Sequence, residues 1–302
     1  MSVTDDFPIH EGTLLSSGYE VQAFLGEGSF GKVAMCMDNI TILQKLQTLD
    51  ADKCSLVKWY GSFYHEKLIC LEFELLDLSL YEYTLQRKHN ALPIAEIRPL
   101  TTALLHLEAL EIIHADIKPE NIMVVNRWQH PLQVKLIDFG LARHVSEAVP
   151  GTAVQSLWYR APEVLLGMDF SEQIDMWSLG AVAAEIAAGF ALFPADHEYD
   201  ALKLIVDLVD SMGFAVQTGH HFRGNQCFHL RSLDDLVEVI PYRHMAKREE
   251  LLNFVYLLKK MLLPDKCGRI IPLTVLEHPF FAVEQDPEVS QSIETVIVDM
   301  RG

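Results

Sequence analysis

Apolar and polar positions along this chain fall into two regimes. Over residues 19–38 they alternate, which is the period of a half-buried strand, and the glycine-rich turn Gly26-Glu27-Gly28-Ser29-Phe30-Gly31 interrupts them, so a hairpin is predicted there. Two more strands are predicted over 56–64 and 68–75, parted by the polar turn His65-Glu66-Lys67. Beyond residue 76 the period changes. Ile97, Leu100, Leu104 and Leu107 recur at three- and four-residue steps and predict an amphipathic helix. Short apolar runs at 122–125 and 134–137 predict strands flanking a loop, residues 140–163 show little periodicity, and helices are predicted from 175 to 281.

The stretch 176–194 is apolar except for Glu185, which raises the question of a membrane span. Its flanks favour a buried core helix: Asp175 is placed to act as N-cap and Gly189 falls near the predicted end. The expected fold class is therefore α+β, with two lobes and a cleft between them. A small antiparallel β-sheet lobe (19–75) would sit on a larger, mainly helical one (76–282), with 1–18 as an N-terminal extension and 283–302 as an acidic tail.

Composition narrows the function classes. Half of the 302 residues are apolar, enough for one large core or two modest ones. With 24 Lys and Arg against 42 Asp and Glu, the net charge of -18 excludes a nucleic-acid-binding surface as the main business, because phosphate contacts need clustered cations. Five cysteines without a C-x-x-C pair indicate neither a disulfide framework nor a zinc site. Residues 1–10 carry Asp5 and Asp6 and no apolar signal core, so a nuclear or cytoplasmic location without membrane partners is expected.

Chemistry concentrates in His114-Ala115-Asp116-Ile117-Lys118-Pro119-Glu120-Asn121 and in Asp138-Phe139-Gly140 downstream. One carboxylate as proton acceptor, an amide and a second carboxylate as Mg²⁺ ligands, and a nearby ammonium are what phosphoryl transfer from ATP requires. Together with VKLIDFG (134–140), QSLWYRAPEVLLG (155–167), IDMWSLGAVAAE (174–185) and EYDALK (198–203), these phrases make the chain resemble eukaryotic protein kinases. Within that superfamily it is most similar to the homeodomain-interacting protein kinases, neighbours of the dual-specificity tyrosine-regulated kinases.

The resemblance implies roles position by position. Asp116 would be the catalytic aspartate and Lys118 the lysine typical of serine/threonine kinases, with Asn121 and Asp138 as the Mg²⁺ ligands. Leu25, Gly26, Glu27, Gly28, Ser29, Phe30, Gly31 and Val33 would cover the ATP phosphates and adenine, and hinge residues Glu74 and Leu76 would bind the adenine edge, with Phe73 behind the pocket. Glu163 and Arg269 would form a buried ion pair, Asp175 would brace the catalytic loop, and Ser156 would touch Asp116 and Lys118. Arg160 matches the branch that prefers proline after the acceptor residue. Partners implied are proteins with Ser/Thr acceptors, transcription regulators among them.

Three departures stand against this. Between Val33 and Leu56 there is no room for the rest of the second strand, a third strand bearing the ATP lysine, and a whole helix C. Residues 39–46 read as the second half of that helix, its glutamate position taken by Asn39 or lost. Lys32 is no substitute, since strand alternation sends it to the face opposite Val33. Ala115 replaces the arginine usual before the catalytic aspartate in the superfamily, a change that the homeodomain-interacting kinases share and that therefore supports the subfamily, and Ala153 stands where those kinases carry a self-phosphorylated tyrosine. An active enzyme of reduced turnover, a binding module without catalysis, and a chain that has lost one coding segment all remain open at this point.

Overall fold

The computed structural model describes residues 14–15, 18, 37–66, 68–87, 97–128, 132–209, 220–223, 226–241 and 248–281. The glycine-rich turn and the hairpin expected around it lie outside these residues. Met37 and Asp38, expected to end a strand, instead open helix α1 (Met37–Leu46), whose Ile42, Leu43 and Leu46 are buried along one face. Among the described residues no strand precedes α1.

Strands β1 (Trp59–His65) and β2 (Leu68–Phe73) form the predicted hairpin, in register from Gly61 opposite Glu72 to His65 opposite Leu68, with a register shift before Gly61 that sets Trp59 opposite Phe73. Glu66 makes the tight turn with φ of 52°. Leu56, expected to begin the first strand, pairs elsewhere: Leu136 N–H donates to Ser55 O at 2.9 Å and Val57 N–H to Leu136 O at 3.0 Å. The hinge follows β2. At its far end Asp77 N–H donates to Val124 O at 2.9 Å, and the Arg127 guanidinium grips the Asp77 carboxylate. Helix α2 (Leu80–Gln86) starts on a capping box, in which Ser79 Oγ accepts Glu82 N–H and Glu82 Oε2 accepts Ser79 N–H.

Helix α3 (Ile97–Ala109) buries Leu100, Leu104 and Leu107 as its period predicts, and Thr101, Ala103 and Leu105 as well, so it runs inside the core. It leads into β3 (Ile112–Ile113) and the His114 motif. Strands β4 (Ile122–Val124) and β5 (Val134–Leu136) pair antiparallel, while β6 (Arg143–His144) pairs with β3. The motif is thereby held between two short ladders.

The helical remainder comprises α4 (Pro162–Leu165), α5 (Gln173–Ala188) and α6 (Glu198–Val209), then strands β7 (His220–Arg223) and β8 (Gln226–His229), and finally α7 (Leu236–Val239), α8 (Arg248–Met261) and α9 (Pro272–Leu276). The hairpin of β7 and β8 is an addition to a stretch in which helices were expected to dominate. Its sequence signal is Gly224-Asn225 between two short alternating runs.

Fourteen residues of α5 are buried, which explains its apolar composition on every side. No helix among the described residues is long and apolar enough to cross a membrane. A Cβ on Gly180 would lie 2.9 Å from Met261 Cβ, so a side chain of any size there would force α5 away from α8. Gly189 closes α5 with φ of 80°, as expected of a C-terminal cap. Asp175 departs from the N-cap expectation, since it lies inside the first turn and Glu172 takes the N-cap position, and its side chain instead bonds the backbone of His114 and Ala115, as the resemblance implied.

Candidate functional site

Backbone geometry around the His114 motif is set by buried polar side chains. Ala115 is buried with φ of 64°, a left-handed conformation that a non-glycine residue adopts only when its surroundings enforce it. Here the Asp175 carboxylate does so, accepting His114 N–H at 2.6 Å and Ala115 N–H at 2.9 Å. Burial pushes the Asp175 carboxyl up to about 7, opposed by these two N–H donors. On the other side Ala115 O accepts Gln155 N–H at 2.8 Å.

The buried His114 ring lies edge-on to Phe139 with 4.9 Å between centroids. Its Nε2 is 2.9 Å from Ile137 O and its Nδ1 faces Asp116 N–H at 3.2 Å, which together require a neutral ring with the proton on Nε2. Burial depresses its pKa in the same sense. The ring thereby ties the Asp116 loop to the segment leading into Asp138.

Asp116 itself is buried and surrounded by donors. Lys118 Nζ reaches its Oδ2 at 2.9 Å, Asn121 Nδ2 reaches the same oxygen at 2.9 Å and the Asp116 carbonyl at 2.9 Å, and Ser156 Oγ donates to Oδ1 at 2.9 Å. Lys118 also donates to Ser156 Oγ at 3.1 Å. Because the Asn121 amide nitrogen is committed to Asp116, its Oδ1 is the atom left to face a cation.

Asp138 stands apart from this cluster. It has φ of 59°, and its Oδ1 accepts Gly140 N–H at 3.1 Å. Among the described residues no cluster of three His, Cys, Asp or Glu side chains has metal-binding geometry. The donor set that fits is two hard oxygen groups, Asn121 and Asp138, suited to an ion such as Mg²⁺ that keeps several of its waters.

Of the other expected nucleotide contacts, Leu25, Gly26, Glu27, Gly28, Ser29, Phe30, Gly31 and Val33 lie outside the described residues, as does Lys32. In the hinge, Glu74 N–H donates to Lys58 O at 2.9 Å, which leaves only its carbonyl for a ligand. Leu75 is exposed, Leu76 is half-buried against the core, and Phe73 is exposed.

Two residues not singled out from the sequence emerge here. Gln155 has φ of 64°, and its carbonyl accepts from Arg160 Nε at 3.2 Å and Nη2 at 2.8 Å. Its side chain is buried and bonded to Ala161 N, Ile174 O and Ser178 Oγ. Lys135 is buried within β5, a lysine inside an otherwise apolar run, and that anomaly was its signal. Glu163 and Arg269 meet as a buried fork at 2.7 and 2.9 Å.

Residues 39–281 match the protein kinase domain family. The chain is 35% identical over 332 aligned positions to homeodomain-interacting protein kinase 1 of Mus musculus, covering 88% of this chain and 27% of that protein. Against homeodomain-interacting protein kinase 1 of Caenorhabditis elegans it is 34% identical, covering 87% and 40%. Against homeodomain-interacting protein kinase 4 of Mus musculus it is 30% identical, covering 94% and 58%. The chain thus spans between about a quarter and three fifths of the relatives it matches. The alignment of 332 positions is longer than the 302 residues of the chain, so it contains positions that this chain lacks.

Proposed function

The chain belongs to the protein kinase family and has its two-lobed α+β fold, and from that premise we propose that it binds ATP with Mg²⁺ and transfers the γ-phosphate to serine or threonine hydroxyls of proteins, with reduced turnover. The lobes divide near residue 75. The observation that carries the reading is the Asp116 carboxylate held by Lys118, Asn121 and Ser156. In this arrangement Asp116 orients the acceptor hydroxyl and takes its proton, while Lys118 offsets charge on the phosphoryl group in transit. Asn121 through Oδ1 and Asp138 through its carboxylate would hold Mg²⁺, whose charge neutralises that developing on the phosphates. Glu74 and Leu76 bind the adenine edge, and Leu25, Val33 and the turn 26–31 cover the nucleotide.

Arg160 and Gln155 bear on the substrate. The Gln155 carbonyl beside Ser156 is already occupied by the Arg160 guanidinium and is not open to the amide of the residue after the phosphorylated one. Proline has no amide hydrogen to leave unsatisfied there. Peptides with proline after the acceptor are expected to be phosphorylated about tenfold faster than the same peptides with alanine, on the scale of one unsatisfied donor. Equal rates would remove this specificity. The relatives' name points to homeodomain proteins as the substrates to try first, in a reducing nuclear or cytoplasmic setting consistent with free Cys54, Cys70 and Cys267.

A second reading, a nucleotide- or partner-binding module without turnover, draws on the aligned positions the chain lacks and on the missing ATP lysine. Binding and transfer are tested separately. Mg²⁺-ATP is expected to raise the melting temperature of the wild type and to lose most of that effect in Asp138→Ala. Stabilisation without phosphate transfer to a basic protein substrate would leave the binding module as the function, and absence of both signals would refute the kinase reading and leave, of the second, only a module that binds partners without nucleotide.

A further inference from the structure

Lys135 draws together three segments far apart in the chain. Its Nζ lies 2.6 Å from Asp52 Oδ1, in the loop after α1, and 2.6 Å from Glu74 Oε1, in the hinge. The same Glu74 oxygen accepts Lys58 N–H at 2.7 Å, and Glu74 N–H returns to Lys58 O. The lysine is 5% exposed, in a strand whose flanking Val134 and Leu136 are core residues. Three residues after it comes Asp138.

The two legs of this contact differ in weight. The Asp52 side chain is 76% exposed, so water screens its attraction, whereas the Glu74 side chain is 17% exposed and forms the stronger leg. Burial opposes the charge on Lys135, but the hydrogen bonds it donates to the Asp52 and Glu74 carboxylates, with their negative charge, outweigh burial and raise its pKa, so the ammonium persists. Held by two carboxylates, Lys135 is not available as a replacement for the missing phosphate-binding lysine.

We propose that Lys135 is a positioning residue that clamps the hinge, through Glu74, to the strand leading into Asp138, and thereby sets the spacing between the adenine end and the metal end of the nucleotide site. The clamp is a property of the ligand-free fold, and its consequence for spacing rests on the nucleotide reading above. Glu74 N–H is engaged by Lys58 O, so the backbone group left to a ligand at the position the clamp fixes is the Glu74 carbonyl. Asp138 follows from the same strand, so both ends of a bound nucleotide are referred to one ammonium.

The test separates these parts. Amide hydrogen exchange in the ligand-free protein is compared among wild type, Lys135→Met, Lys135→Arg and Asp52→Asn. Exchange at Glu74 is expected to quicken about tenfold in Lys135→Met, to return towards wild type in Lys135→Arg, which keeps the charge, and to change little in Asp52→Asn, with α5 unaffected in all three variants. No change at Glu74, or the same acceleration in α5 as in the hinge, would overturn the clamp. Affinities for Mg²⁺-ATP and for adenosine are then measured. Lys135→Met is expected to weaken Mg²⁺-ATP about tenfold and adenosine by no more than about threefold. An equal loss for both would overturn the spacing role. If the wild type binds neither, the nucleotide reading and the spacing role fail together, while hydrogen exchange still decides the clamp.

Discussion

Replacing Asp116 by asparagine is expected to lower phosphate transfer by about 10²–10⁴-fold, the usual contribution of a positioned general base. The substitution preserves size but not chemistry. One side-chain oxygen can still accept from Ser156 Oγ, but the other atom becomes an amide nitrogen facing two donors, Lys118 Nζ and Asn121 Nδ2, each now 2.9 Å from a carboxylate oxygen. The change therefore removes the proton acceptor and disturbs the two cation-side partners together. Transfer of labelled phosphate to a generic basic protein, wild type against Asp116→Asn at equal concentration, measures it. Equal signals would mean that transfer observed with the wild type comes from elsewhere than this site, and the kinase reading would be abandoned.

The second large effect is on stability. Arg269→Leu is expected to destabilise the fold by about 3–5 kcal/mol, because it leaves the Glu163 carboxylate buried without its partner. The guanidinium does more than pair: Nε donates to Leu263 O at 3.0 Å and Nη1 to Gln173 O at 2.8 Å, and it lies 5.2 Å from the Trp177 ring. It joins Glu163 in α4 to the start of α5 and to the turn after α8. At about 2–4 °C per kcal/mol for a domain of this size, a fall in melting temperature of roughly 6–20 °C follows. The double replacement Glu163→Leu with Arg269→Leu is expected to be less harmful than the single one, since no lone charge is then buried. A single variant that melts within about 2 °C of wild type would contradict this account.

Much of the fold was legible because the relevant signals are local. Alternation around His65-Glu66-Lys67 placed the hairpin of β1 and β2, and three- and four-residue steps placed α3. Asp175 shows where local reasoning stops. An aspartate at the head of an apolar run is the usual signature of a cap, yet here the carboxylate accepts two amides 60 and 61 residues away, and the helix starts earlier without a side-chain cap. Leu56 was read as a strand start for its apolar company, while its neighbours' hydrogen bonds go to Leu136 instead. The hairpin of β7 and β8 was missed although Gly224-Asn225 marked it, because the surrounding helical pattern was extended through it.

By itself the sequence determined the superfamily, and it named the reaction class to be tested and the residues proposed to bear on it, because Asp116, Lys118, Asn121 and Asp138 lie close together in one stretch with recognisable spacing. It also exposed the shortened segment before α1, since a count of residues needs no coordinates. The resemblance implied Asp175 under the catalytic loop and Arg269 on Glu163, and the structure supplied their geometry; tertiary structure alone decided that Gln155 is locked by Arg160 and that Lys135 sits between Asp52 and Glu74. Most of these contacts join residues 60 to 106 positions apart. Such contacts leave no periodicity in the chain, because a buried charge takes its partner from whatever segment the packed core brings within reach.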